Sequence, residues 1–194
     1  MLEVKIVGNG IQVLNVAVDV LKEESGRRAM AAALNTVGEG AIPKVLRTLS
    51  REVGVPPDTV RKRGAIRGIK AWSGNLEYLI RSDGGFMYLK DFGPIQRKHG
   101  VRARPWGKSR LFEGAFINNG LHGLVMHKTG IRKKTKAGNY AGQMRDVIEN
   151  MFGPAIPKEM VKTAVQTVFF GEVERRLPIY VRRNLMAATK GVFG

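Results

Sequence analysis

Apolar and polar residues alternate at the start of the chain, with Leu2, Val4 and Ile6 on one side and Gly8-Asn9-Gly10 behind them. This predicts a short strand over residues 2–7 ending in a turn. From residue 11 to 21 the spacing changes to three and four, and Val13, Leu14, Ala17, Val20 and Leu21 share one face of a short helix. Ser25-Gly26 interrupts it. A longer alanine-rich helix is predicted next, with Met30, Leu34, Val37, Ala41, Val45 and Leu49 at helical spacing. Pro43 lies inside, and an interior proline costs about 3 kcal/mol, so a kink or a split near Ile42 is expected. Gly38-Glu39-Gly40 reads as turn and helix-break glycine. Val55-Pro56-Pro57-Asp58 ends the run, and Asp58 or Thr59 would cap a brief basic helix over residues 60–63.

Residues 65–128 carry the signals of an antiparallel sheet. Residues 76–81 and 86–91 are expected to pair through Asp83-Gly84, setting Ile80 opposite Met87, Tyr78 opposite Leu89 and Glu77 opposite Lys90. A second hairpin joins residues 110–118 to 121–128 through Asn119-Gly120, a strong hairpin dipeptide. After glycine-containing loop sequence, a short helix is predicted over residues 143–151, broken by Phe152-Gly153-Pro154. The closing helix begins near Pro157 and carries Val161, Val165, Val168, Leu177, Val181 and Leu185, with a bend at Pro178 and a stop at Lys190-Gly191.

The expected fold is therefore α+β: an antiparallel sheet built from two hairpins, with long N- and C-terminal helices packed on it. It is read as a single domain, 1–194, with strand and helices to residue 63, sheet over 64–128, loop and short helix over 129–152, and the C-terminal helix from 153. Tyr78, Ile80, Met87 and Leu89 would receive the helices carrying Leu34, Val37, Val161 and Val165.

Charge is placed unevenly along this pattern. Residues 61–136 hold 18 Lys or Arg against Glu77, Asp83, Asp91 and Glu113, a local net charge of +14 (18 − 4) out of +17 for the chain. Before residue 61, seven cations balance seven acids. Turns at Asp83-Gly84 and Asn119-Gly120 would cap one end of the sheet and send two basic loops out at the other. The first carries Arg97, Lys98, Arg102, Arg104 and Lys108; the second carries Lys128, Arg132, Lys133, Lys134 and Lys136. These ten residues, with Trp106 between Arg104 and Lys108, form the candidate contact surface for nucleic acid or an acidic protein partner. Phe86 and Tyr88 read as core or subunit contact, not a base-stacking platform.

Other chemistry finds little purchase. There is no cysteine, so disulfides and thiolate sites are excluded. His122 and His127 would point to opposite faces of a strand, and His99 has no carboxylate close in sequence, so no metal site is expected. Lys128-Thr129-Gly130 matches one box of the serine β-lactamase signature, but no Ser-x-x-Lys accompanies it. No acid–base pair, catalytic residue, phosphate-cradling glycine loop or cofactor site stands out. No apolar run approaches the roughly 18–20 residues that span a bilayer, and the first residues do not read as a charged leader followed by an apolar run and a small-residue cleavage site. A soluble protein, intracellular where it is made and without a membrane partner, is the expectation.

Several segments, taken in order, carry a family resemblance. They are Ala31-Ala32-Ala33-Leu34-Asn35-Thr36-Val37, Ser50-Arg51-Glu52-Val53-Gly54-Val55 and Val60-Arg61-Lys62-Arg63, then Gly114-Ala115-Phe116-Ile117, Val125-Met126 and Phe152-Gly153-Pro154-Ala155-Ile156-Pro157. In order and spacing, over roughly residues 28–190, they resemble the minor tail protein Z family of lambda-like bacteriophages. The resemblance implies a non-enzymatic structural protein of the virion, at the head-proximal end of the tail or neck. It would act in tail completion and head–tail joining after assembly in the host cytoplasm. Implied partners are other tail and neck proteins, such as tail tube or terminator, further copies in a homo-oligomeric ring, and the genomic DNA end. Between His127 and Met151 the chain departs from the family pattern with a longer stretch, so no family contact is carried over there. A free, sequence-nonspecific nucleic-acid-binding protein is the alternative reading of the same cations.

Overall fold

A computed structural model describes residues 2–5 and 24–188, the first four by their backbone. The predicted helix over residues 11–21, the turn at Gly8-Asn9-Gly10 and the stop at Lys190-Gly191 lie outside these residues. The fold is mixed α+β, with antiparallel strands in small sheets and the long N- and C-terminal helices packed together. The described residues divide into two compact units. One holds the residues up to Ser50, Pro56–Gly85 and those from Ile156; the other holds Arg51–Val55 and Phe86–Ala155.

In the first unit, α1 (Glu24–Val53) runs unbroken through Ser25-Gly26, Gly38, Gly40 and Pro43. The expected split near Ile42 does not occur. Gly38 and Gly40 are not helix breaks but points of close approach: a Cβ on Gly38 would stand 2.2 Å from Cδ1 of Tyr78, and one on Gly40 would stand 2.5 Å from Nη1 of Arg176. The helix places Leu34, Val37, Ala41, Val45 and Leu49 in the core. Tertiary burial outweighs the local cost of two glycines and a proline. Next come α2 (Pro57–Gly64), β2 (Ile66–Ile69) and β3 (Leu79–Ser82). The basic helix expected at residues 60–63 is present as α2. It opens with Pro56 as N-cap and has no side-chain cap, so neither Asp58 nor Thr59 serves as expected.

Strand β3 is central between β2 and β1 (Leu2–Lys5), both antiparallel to it. This overturns the first predicted hairpin. Ile80 faces Gly68 and Val4, not Met87, and Glu77 does not meet Lys90 across a ladder. The physical reason lies in the chain after β3. Ser82 Oγ donates to the Gly64 carbonyl at 2.6 Å and the Gly84 amide donates to the same oxygen at 2.9 Å. Asp83-Gly84 is thereby held against the end of α2, where a Cβ on Gly84 would stand 2.2 Å from the Arg63 carbonyl oxygen. It cannot also close a hairpin.

The C-terminal segment forms α3 (Ile156–Met160) and α4 (Thr163–Ala188), separated at Val161-Lys162 where one helix was expected. Val165, Leu177, Val181 and Leu185 are buried as predicted, whereas Val161 is half-buried. Pro178 lies within α4. Glu172, buried on α4, binds Lys44 of α1 and accepts hydrogen bonds from Arg175 at 3.1 Å and Arg176 at 3.2 Å. These cations, the Lys44 hydrogen bond foremost, hold its carboxyl down at about 2.

The second unit is built from strands: β4 (Phe86–Tyr88), β5 (Ile95–Arg97), β6 (Gly100–Ala103), β7 (Arg110–Glu113), β8 (Ala115–Asn118), β9 (Leu124–Lys134), β10 (Met144–Asn150) and β11 (Phe152–Ala155). They form the antiparallel sets β4-β11, β5-β6-β7 and β8-β9-β10. Met87, Leu89, Phe92, Val101, Ala103 and Val125 are buried.

The second predicted hairpin forms, with Phe116 opposite Met126 and Ile117 opposite Val125. Its turn is longer than Asn119-Gly120. A 3-10 turn at Asn119–Leu121 is followed by His122 and Gly123 in the left-handed region, and the Gly123 amide donates to the Asn118 carbonyl at 3.1 Å. The helix predicted over residues 143–151 is strand β10 instead. Strand β9 continues past His127 to Lys134, where a loop was expected, and Met144, Arg145 and Asp146 pair with Lys134, Lys133 and Arg132. A ladder partner was available, and pairing satisfies backbone groups that a short exposed helix would leave to water.

Candidate nucleic-acid or partner interface

All ten sequence-predicted contact residues are exposed, and all belong to the second unit. They sit mainly on strands, not on two loops leaving one end of a sheet. Arg97 ends β5, Lys98 and His99 form the turn, and Arg102 lies on β6. The register sets Ile95 against Arg102 and Arg102 against Leu111, with Arg97 against Gly100. Alternation therefore places Arg97 and Arg102 on one sheet face with Ile95 and Leu111, all exposed, while Val101 and Ala103 are buried on the other. The alternating Gly100-Val101-Arg102-Ala103 was a legible strand signal, masked by the charge around it.

Arg104 and Lys108 flank a tight 3-10 turn at Pro105–Gly107. Trp106 within it adopts φ 55°, a left-handed backbone that costs a residue with a side chain about 1–2 kcal/mol. The Arg110 guanidinium lies 5.5 Å from the Trp106 ring centre. Packing fixes the turn, since a Cβ on Gly54 would stand 2.4 Å from the Gly107 amide nitrogen.

Lys128, Arg132, Lys133 and Lys134 lie along β9, and Lys136 follows at the hairpin's end. Strand β8 pairs with β9 only as far as His127, so residues 128–148 form a two-stranded ribbon without a third strand. No residue in it is buried. Its end is closed by the Thr135 amide to the Gln143 carbonyl and the Gly142 amide to the Thr135 carbonyl, both 2.9 Å. Lys128 lies opposite Ile148, Arg132 opposite Asp146 and Lys134 opposite Met144, which gives one face; Lys133 opposite Arg145 belongs to the other.

On the first face Asp146 sits between Lys128, at 2.9 Å, and Arg132, at 3.8 Å. The Lys128 hydrogen bond is the main reason its carboxyl titrates below the ordinary range. Arg132 also donates to the Met144 carbonyl at 3.1 Å. An open groove along the ribbon is lined by Lys128, Arg132, Thr135, Met144, Arg145, Asp146 and Ile148. On the second face, Arg145 stacks on Tyr140 at 4.1 Å. Lys133, Lys134 and Lys136 have no acidic partner among the described residues.

Met144, Arg145 and Ile148 were missed in the sequence because residues 143–151 read as a helix, and Tyr140 because it fell in the loop before them; Gly138 and Gly142 between two charged runs were the available hairpin signal. Also missed was an aromatic ledge on β4-β11. Phe152 lies 6.3 Å from Phe86 and 5.2 Å from Tyr88, ring centre to ring centre, with Phe86 58% and Phe152 49% exposed. Phe86, read as core or subunit contact, is therefore a surface ring outside the core.

No protein-family model, curated protein or solved structure matches the chain.

Proposed function

We propose that this chain is a structural component of a bacteriophage tail, working at the head-proximal end in tail completion and head–tail joining. The observation that carries the reading is the unburied cationic ribbon of residues 128–148, a surface shaped to be covered by another molecule. The motif resemblance to the minor tail protein Z family supports the place of action. Several of its segments hold the framework: Asn35 bonds both backbone groups of Ala71, and Pro154 and Ile156 are fully buried. In this reading the chain forms a ring with copies of itself, contacts tail tube or terminator proteins, and presents its cations to the DNA end or to acidic neighbours.

Cryo-electron microscopy of tailed particles purified from cells producing the chain tests this. Density for the chain at the head–tail junction is expected. Its absence from intact, infectious particles would overturn the reading. The free nucleic-acid-binding protein is the second reading, favoured by the same ten exposed cations, and it requires duplex or single-strand binding without any stable tail complex.

A further inference from the structure

The ribbon of residues 128–148 carries Lys128, Arg132, Lys133, Lys134, Lys136 and Arg145 against Asp146 alone, a net charge of +5 (6 − 1). Its strand pairing distributes those cations over both faces: Lys128, Arg132 and Lys134 on one, Lys133 and Arg145 on the other. Lys133 stands directly across from Arg145, and like charges directly opposite destabilise a strand pair. A bare two-stranded ribbon is marginal in water already. The arrangement works against the free protein and in favour of a bound anion.

The identity of that anion follows from charge and shape. A second copy of the chain carries +17 and repels the arm. Four of its acids are already engaged by its own cations: Glu39 with Lys70, Asp83 with Arg67 and Arg81, Glu159 with Lys162, and Glu172 with Lys44, Arg175 and Arg176. A flat acidic protein surface would meet one face of the ribbon and leave the cations of the other in water. The major groove of duplex DNA, about 12 Å wide, admits a two-stranded β-ribbon and flanks it with phosphates on both sides. The paired stretch spans about 14 Å along β10, from Met144 to Ile148, enough to follow that groove across a few base pairs.

We infer that the β9–β10 arm inserts into the major groove of double-stranded DNA, with Lys133 and Arg145 meeting one phosphate wall and Lys134, with the Lys128–Arg132 pair, meeting the other. The inference rests on the arm's own geometry and is independent of the tail reading. The arm also lies in the stretch where the chain departs from the family pattern, so the resemblance does not supply it.

Fluorescence anisotropy of the full chain with a labelled 20-base-pair DNA duplex, read across a salt series, tests it. Lys133→Gln and Lys134→Gln probe the two faces, and both exposed side chains can be neutralised without touching the core. Lys158→Gln, on exposed surface outside the arm, is the control. Each arm variant is expected to weaken binding about threefold near 0.15 M salt and to lower the slope of log affinity against log salt by about 1, with the control unchanged. An A-form RNA duplex, whose major groove is deep and narrow, is expected to bind more weakly. Three results would each overturn the inference: arm variants that bind like the parent, an effect confined to one face, or equal affinity for the RNA duplex or for polyglutamate. Polyglutamate preference would assign the arm to an acidic protein. Duplex binding through the arm by a chain missing from virions would sink the tail reading and leave this one standing.

Discussion

The ring of Tyr78 occupies the space a side chain on Gly38 would need, with Cδ1 2.2 Å from the position of an added Cβ. The same tyrosine reaches Gly68, where a Cβ would stand 2.0 Å from its hydroxyl oxygen. One buried aromatic thus seats helix α1 against strand β2 through two bare Cα atoms. Alanine at Gly38 gains about 1 kcal/mol in helix propensity, but overpacking a filled site costs about 1–3 kcal/mol. Gly38→Ala is expected to lower the urea midpoint; a midpoint at or above the parent's would show that the ring yields.

Burial, with the Glu39 charge as a second cause, pushes the Tyr78 hydroxyl up to about 12 from an ordinary value of 10. A folded-state value above the unfolded one gives stability that is fully present below pH 10 and is lost as pH rises toward 12. Tyr180 moves the other way, lowered by the hydrogen bond from Arg176. Ultraviolet titration should therefore show Tyr180 ionising before Tyr78, and Tyr78→Phe should flatten the alkaline loss of stability.

Glu172 sets an acid limit. Its carboxyl is held at about 2 against an ordinary 4.5, so its contribution is present above pH 4.5 and disappears as pH falls toward 2. Thermal melts between pH 6 and pH 2 are expected to show a fall across this window that is shallower in Glu172→Gln. An identical pH profile in the variant would remove Glu172 from the account.

Asn35 makes both of its bonds to one residue. Nδ2 donates to the Ala71 carbonyl at 3.0 Å and Oδ1 accepts from the Ala71 amide at 2.7 Å. Asn35→Ala leaves a peptide donor and acceptor without those partners, and a loss of about 1–3 kcal/mol is expected in denaturant unfolding. Asn35→Asp sets a carboxylate oxygen against the Ala71 carbonyl oxygen, so no rescue relative to Asn35→Ala is expected.

In the arm, stability and contact should move in opposite directions. Lys133→Glu replaces a like-charged cross-strand pair with an attractive one, which contributes roughly 0.2–1 kcal/mol. Slower amide exchange in residues 128–148 at low salt is expected together with weaker DNA binding. Faster exchange would mean that Lys133 and Arg145 do not repel.

Elements with a local cause were legible in the residues. The stripe Leu34, Val37, Ala41, Val45 and Leu49 announced α1, Val165 to Leu185 announced α4, and the paired runs around Asn119-Gly120 announced β8 and β9. The ten exposed cations were likewise legible, because water is the ordinary place for Lys and Arg.

Local pattern thus accounts for the α+β class, the two long helices, one hairpin and the placement of positive charge. Tertiary structure alone decided how Asp83-Gly84, residues 92–109 and residues 143–151 were used. Asp83-Gly84 has the chemistry of a hairpin turn, yet the Gly64 carbonyl claims Ser82 and Gly84, and β3 takes β1 and β2 as partners instead. Met144 to Asn150 has no strong local preference, and the free edge of β9 settles it as a strand. Turn chemistry and helix propensity amount to about 1 kcal/mol or less per residue, whereas a ladder satisfies many backbone groups at once, and those groups come from residues far apart in the chain.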